Sequence, residues 1–81
     1  TDMVQINGKD FTTPAPLSDM SSAERKYFLM GNLAAAYAHG QDKQEAYNQD
    51  GTVYLGNQAI MTSVSGDESA DQLVKILNQI K

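Results

Sequence analysis

The chain is expected to fold as a small α+β domain, with two β-hairpins forming an antiparallel sheet of about four strands and two main helices on one face. Three observations predict it. Asn7-Gly8 sits between two short alternating runs in VQINGKDF, and Gly56-Asn57 divides VYLGNQAI in the same way. Apolar residues recur at helical spacing in two longer segments, from Ser22 to His39 and from within SGDESADQ, residues 65–72, to about Gln79. Finally, 81 residues with a hydrophobic fraction of 41% and a charged fraction of 20% make one globular domain, 1–81, in the order ββα(α)ββα.

Asn7-Gly8 suits a two-residue turn whose central residues both take positive φ. The register that follows pairs Ile6 with Lys9, Gln5 with Asp10 and Val4 with Phe11, which puts Val4, Ile6 and Phe11 on one apolar face. Residues 12–22, TTPAPLSDMSS, hold both prolines and read as a linker. Ser21-Ser22-Ala23-Glu24 then fits a capping box, so a helix should begin near Ser22.

On a helical wheel Tyr27, Leu29, Met30, Leu33, Ala34, Tyr37 and Ala38 cover about half the circumference, with Arg25, Asn32 and His39 in a narrow strip opposite. A helix so apolar is expected to be central in the fold or shared with a second subunit. Gly31 with Ala35, and Ala34 with Ala38, also place small residues four apart, which permits close helix approach. The ordinary reading of that spacing is packing against the chain's own sheet.

His39-Gly40 should end this helix. Asp42-Lys43-Gln44-Glu45 offers another capping box, hence a short polar helix over about 42–48; the alternative is one bent helix from 22 to 48. Asn48-Gln49-Asp50-Gly51 reads as a turn leading into the second hairpin, with Leu55 facing Gln58, Tyr54 facing Ala59 and Val53 facing Ile60. The final helix carries Asp67, Glu68 and Asp71 at its positive end, Lys75 and Lys81 toward the other, and a stripe of Leu73, Ile76, Leu77 and Ile80. The two ββα-like halves suggest a duplication, but the octets share too few identities to establish one.

With no cysteine there is neither a disulfide framework nor a thiolate metal site. A core this small, without a staple, gains from a second subunit, so a homo-oligomer is expected. The formal charge is −4, and the basic residues Lys9, Arg25, Lys26, Lys43, Lys75 and Lys81 cluster only at Arg25-Lys26, which argues against nucleic acid as a partner. Residues 27–38 are too short an apolar run to span a bilayer, so no membrane association is expected. Met3 reads as the natural start, and no basic region leading into an apolar one opens the chain, although a leader already removed would leave the same beginning. The expected location is the cytoplasm, or the virion if the gene is phage-borne.

Local motifs for chemistry are few. Gly8-Lys9 lacks the rest of a phosphate-binding loop. His39, the sole histidine, could act as a general base only with a carboxylate such as Asp42 or Glu45; a histidine at a helix end is the simpler reading. Asn48-x-Asp50-Gly51 resembles the middle of a calcium loop, but Ala46 and Asn57 occupy the positions that need carboxylates, and the run at 67–71 lacks a central glycine. No metal, cofactor or enzymatic activity is expected. Met3, Met20, Met30 and Met61 read first as core filling and otherwise as an adaptable surface. Phenols favour interfaces, so Tyr37, Tyr47 and Tyr54, with His39, are the candidate binding residues. Tyr27, Met30, Gly31, Ala34, Ala35 and Ala38 are the candidate oligomer interface.

The hairpin Ile6-Asn7-Gly8-Lys9-Asp10-Phe11 followed by Leu17-Ser18 resembles the opening of small accessory proteins common in phages and mobile elements. The resemblance covers the first quarter of the chain, implies an accessory role and assigns no residue a function. Together these readings point to a non-enzymatic protein that binds a protein partner, as inhibitors, adaptors and virion components do. A small-ligand-binding protein with a tyrosine-lined pocket at a subunit boundary is the alternative, and a minimal hydrolase using His39 ranks last.

Overall fold

The computed structural model describes residues 1–81 and shows an α+β domain. Strands β1 (Val4–Ile6) and β2 (Lys9–Thr12) lead to helix α1 (Ser22–Ala38) and a 3-10 turn (Gln41–Lys43). Strands β3 (Ala46–Gln49), β4 (Thr52–Leu55) and β5 (Gln58–Thr62) follow, and helix α2 (Ala70–Ile80) closes the chain.

Both expected hairpins form. Asn7 and Gly8 take positive φ of 54° and 76°, as a two-residue turn of that type demands, whereas only Gly56 does so in the second turn. The registers agree with expectation for two pairs and then slip. Val4 pairs with Thr12 and Val53 with Met61, so Phe11 and Ile60 are the extra residues of β-bulges, each third after its turn. The bulge turns consecutive side chains inward: Phe11 and Thr12, and likewise Ile60 and Met61, are all buried.

Two features differ from the sequence-based expectation. The expected polar helix at 42–48 is a 3-10 turn followed by β3, because Asp50-Gly51 is itself a hairpin turn, with φ of 54° and 89°, joining AYNQ to TVYL. The expected sheet of about four strands is instead divided into a pair, β1-β2, and a triplet, β3-β4-β5. Side chains from the helices occupy the edges through which the sheets would otherwise join. On β5, Asn32 Nδ2 donates to the Ile60 carbonyl at 2.9 Å and Arg25 Nη2 to the Thr62 carbonyl at 3.2 Å. On β3, the Asn78 amide meets both backbone groups of Ala46, accepting from its N–H at 2.9 Å and donating to its carbonyl at 3.3 Å. These contacts protect edges that would otherwise template pairing.

Substituting Asn78→Ala leaves the buried Ala46 with two backbone groups unsatisfied. Urea denaturation should therefore show a loss of about 1–3 kcal/mol. A change within about 0.5 kcal/mol, the range of ordinary surface substitutions, would mean that the amide does not close this edge.

Both helices start at complete capping boxes, Ser21 with Glu24 and Ser69 with Gln72. The Ser21 backbone N–H, and then its hydroxyl, hold the Glu24 carboxyl below its ordinary pKa. Helix α1 stops where expected: Gly40 is left-handed at φ 72° and its N–H bonds the Tyr37 carbonyl. The next segment is pinned to the β4–β5 turn by Gly56 N–H on the Glu45 carbonyl and Asn57 N–H on Gln41 Oε1. A side chain at Gly56 would meet Gln41 and Gln44, so glycine is needed there for space as well as for φ.

Helix α2 packs against β2, β3 and β4, and α1 against β5 and β1. A single core results, with Val53, Leu55, Leu73 and Leu77 fully buried at its centre. The stripe read from α2 is the buried one for Leu73 and Leu77, with Ile76 and Ile80 half-buried beside it.

Candidate functional site: the solvent face of the first helix

Helix α1 is rotated from the wheel-based arc, with Leu29 and Leu33 of that arc turned inward and Tyr27, Met30, Ala34 and Ala38 outward. Its buried stripe is Arg25, Leu29, Leu33 and Ala36. Arg25 and Asn32, expected on an outward polar strip, turn toward the sheet because each caps a β5 carbonyl. Most of the residues assigned to the apolar arc consequently face solvent.

Arg25 sits at the centre of the polar network that fixes this orientation. Its guanidinium bonds both Asp67 oxygens at 3.0 Å and reaches the Ala15 carbonyl at 2.7 Å. Asp67 also accepts from the N–H groups of Ala15 and Val64. Burial alone pushes the Asp67 pKa up, and is the largest single influence. The hydrogen bonds from Arg25, Ala15 and Val64, with the Arg25 charge, together outweigh it and hold the carboxyl below its usual value. Nearby, Thr12 donates its hydroxyl proton to Glu68 at 2.7 Å, tying the end of β2 to the approach to α2, while the Arg25 bonds clamp the linker, β5 and that approach to the base of α1. Asp67, expected at the positive end of the last helix, lies before that helix and serves this network.

With Arg25 and Asn32 facing inward, the opposite side of α1 is left apolar and unpartnered. Tyr27 is 71% exposed, Phe28 65% and Met30 45%, and Gly31, Ala34 and Ala38 are also exposed, with Ala35 half-buried. No charged residue lies between Lys26 and His39. The expected oligomer-interface residues are thus gathered on one helix, mostly outward. Phe28, which sequence reasoning did not select, is among the most exposed; its place at the foot of an apolar run was the available signal.

A groove flanks each side of this face. On one side, about 270 Å³ lies between Phe28 and the linker and β5, walled by Leu17, Met20, Ile60 and Val64. On the other, about 300 Å³ lies between α1 and β1, walled by Val4, Ile6, Met30, Leu33 and Ala34. A shallower extension runs past Gln5 and Met30 to Lys26. Large apolar side chains beside concave apolar walls are what a macromolecular interface requires.

The expected binding residues do not form one site. Tyr37 borders the β1 groove, but its hydroxyl donates to the Lys81 carbonyl at 3.2 Å, where Asn7 Nδ2 also bonds, so it fastens the end of the chain. Tyr47 and Tyr54 stack across β3 and β4 with centroids 5.3 Å apart and planes 7° from parallel. Neither borders any of the three grooves. His39 is exposed at the end of α1, and its backbone carbonyl accepts from Gln41 Nε2 at 3.3 Å. Neither Asp42 nor Glu45 is hydrogen-bonded to its ring.

No group of three or more His, Cys, Asp or Glu side chains is arranged to hold a metal ion, and no helix is long and apolar enough to cross a membrane. Comparison with known proteins found no matching family model, no matching curated protein and no matching solved structure.

Proposed function

We propose that this chain is a non-enzymatic protein that acts by binding a macromolecular partner, most simply another protein, through the solvent face of α1. It would work as an inhibitor, an adaptor or a virion component, in the cytoplasm or in a virion, and as a homo-oligomer. The observation that carries the reading is the run of exposed Tyr27, Phe28 and Met30 on a helix with no charge between residues 27 and 38. Aromatic side chains are favoured anchors because they bury large area at little entropic cost, and Phe28 stands beside a groove into which a partner can extend the contact.

Phe28→Glu tests this. The side chain is exposed, so the fold and its circular dichroism should be unchanged, while a charge is placed in the middle of the expected contact. With equal amounts of each protein as bait in an extract of the source cells, the wild type should retain discrete proteins that the variant loses. Recovery of the same proteins by both would remove α1 from the binding surface.

The small-ligand reading keeps one supporting observation, the groove of about 300 Å³ bordered by Tyr37. It ranks second because the Tyr37 hydroxyl is already engaged by Lys81 and the other two tyrosines lie away from the groove.

A further inference from the structure

We infer that a second copy of this chain docks along the outer edge of β1, pairing β1 with β1 antiparallel and bringing the Met30–Ala34 side of the two α1 helices together. This rests on the homo-oligomer part of the proposed function and identifies the surface involved.

The backbone supplies the first reason. Ile6 and Lys9 flank a two-residue turn and so form the pair that exchanges both ladder bonds; the next pair, Gln5 with Asp10, is the open kind. The bond from Gln5 Nε2 to Asp10 Oδ1, 2.8 Å, fits the closer approach of such a pair. The Gln5 N–H and carbonyl therefore point away from β2. On β5 the outward carbonyls of Ala59, Ile60 and Thr62 are met by Gln58, Asn32 and Arg25, and on β3 that of Ala46 by Asn78. No side chain does this for Gln5. β1 is an outer edge with an apolar groove running beside it, lined by consecutive residues of the strand rather than by alternate ones.

What fits such an edge is another strand, and a second copy of β1 is self-complementary. On a two-fold axis through Gln5, each N–H meets the partner's carbonyl, the reciprocal geometry of a two-fold symmetric interface. The charge pattern also selects a second copy. Each chain carries −4, yet the α1 residues that line the groove beside β1, Met30, Leu33, Ala34 and Tyr37, are all uncharged, so two copies can approach there without opposing like charges. Ala34 is small enough to let the helices come close there. The product is a four-stranded sheet, β2-β1-β1-β2, with the two α1 helices side by side, leaving Phe28 and its groove on the far flank for the partner.

Gln5→Pro removes the outward N–H and sets a ring on the edge without removing a ladder bond, since Gln5 makes none to β2. Ala34→Glu puts a charge on the helix side of the contact at an exposed position. Sedimentation velocity over a wide concentration range should show a dimer for the wild type and for Phe28→Glu, and monomers for both edge variants, all with the same circular dichroism. If Gln5→Pro alone perturbs the hairpin, Ala34→Glu carries the result. A wild type that stays monomeric overturns both this interface and the oligomer reading. A dimer that survives both substitutions overturns this interface alone. The Phe28 capture experiment is independent of either outcome.

Discussion

Replacing Arg25 by methionine should cost about 3–5 kcal/mol, the usual penalty for leaving a buried charge without its partner. The Asp67 side chain is 0% exposed and that of Arg25 9%, and Arg25 makes two of the four hydrogen bonds to Asp67. A domain with a total stability of only about 5 kcal/mol would then keep about 0–2 kcal/mol, and at the upper end of the loss about half of it would be unfolded at room temperature. Urea denaturation measures the loss, and Arg25→Met combined with Asp67→Asn should recover part of it, because the buried carboxylate is gone. The same cluster sets a dependence on pH. The folded pKa of Asp67 is lowered, so its contribution is complete above the unfolded carboxylate value of about 4 and is lost as pH falls through the folded value. Acid destabilisation below about pH 4 should accordingly be shallower in the double variant. A loss under 1 kcal/mol for Arg25→Met, the scale of an exposed ion pair, would show that the network does not anchor α1.

Leu73→Ala should destabilise by about 2–5 kcal/mol through the cavity it leaves. Leu73 is 0% exposed on α2, the helix that packs against strands of both sheets. The loss should therefore be felt by the whole domain. Tyrosine fluorescence, from Tyr27 and Tyr37 on α1 and the stacked Tyr47–Tyr54 pair in the triplet, and far-UV circular dichroism should shift to lower urea together, with coincident transitions. Separate transitions would mean that the domain does not unfold as one unit. A small effect, similar to that expected for the exposed Leu17, would place Leu73 outside the core.

The parts of the fold that local sequence determines were legible. Asn7-Gly8, Gly56-Asn57, Ser21 with Glu24, and Gly40 all act within a few residues of themselves. What escaped depends on distant partners. Arg25 and Asp67 are 42 residues apart, and Ala46 and Asn78 are 32 apart, so nothing in either neighbourhood announces the contact. The bulges at Phe11 and Ile60 are visible only once both members of each consecutive pair are seen to be buried. Strand β3 was missed for a local reason: Asp42 to Glu45 imitates a helix start, while Asp50-Gly51, a strong hairpin signal, was read only as a connection.

The candidate site was found in outline, with the helix rotated so that Leu29 and Leu33 of the expected arc face inward and the rest mostly outward. Counting apolar residues on the α1 wheel places the widest apolar arc inward, whereas the sheet edge selects Arg25 and Asn32, seven residues apart with Leu29 between them, to cap its carbonyls. The excess apolar surface on this helix is real, and it is the outward side. Tyr47 and Tyr54, chosen because phenols favour interfaces, and Tyr47 also for its polar stretch, stack on each other across two strands.

The most direct test is site-specific photo-crosslinking in the source cells. A photoreactive phenylalanine at position 28, where the native ring is 65% exposed, should yield discrete covalent adducts with another protein. The same group at Lys75, exposed on α2, should give none. Adducts equal in number and identity from both positions, or none from position 28, would contradict the assignment of the α1 face as the binding surface.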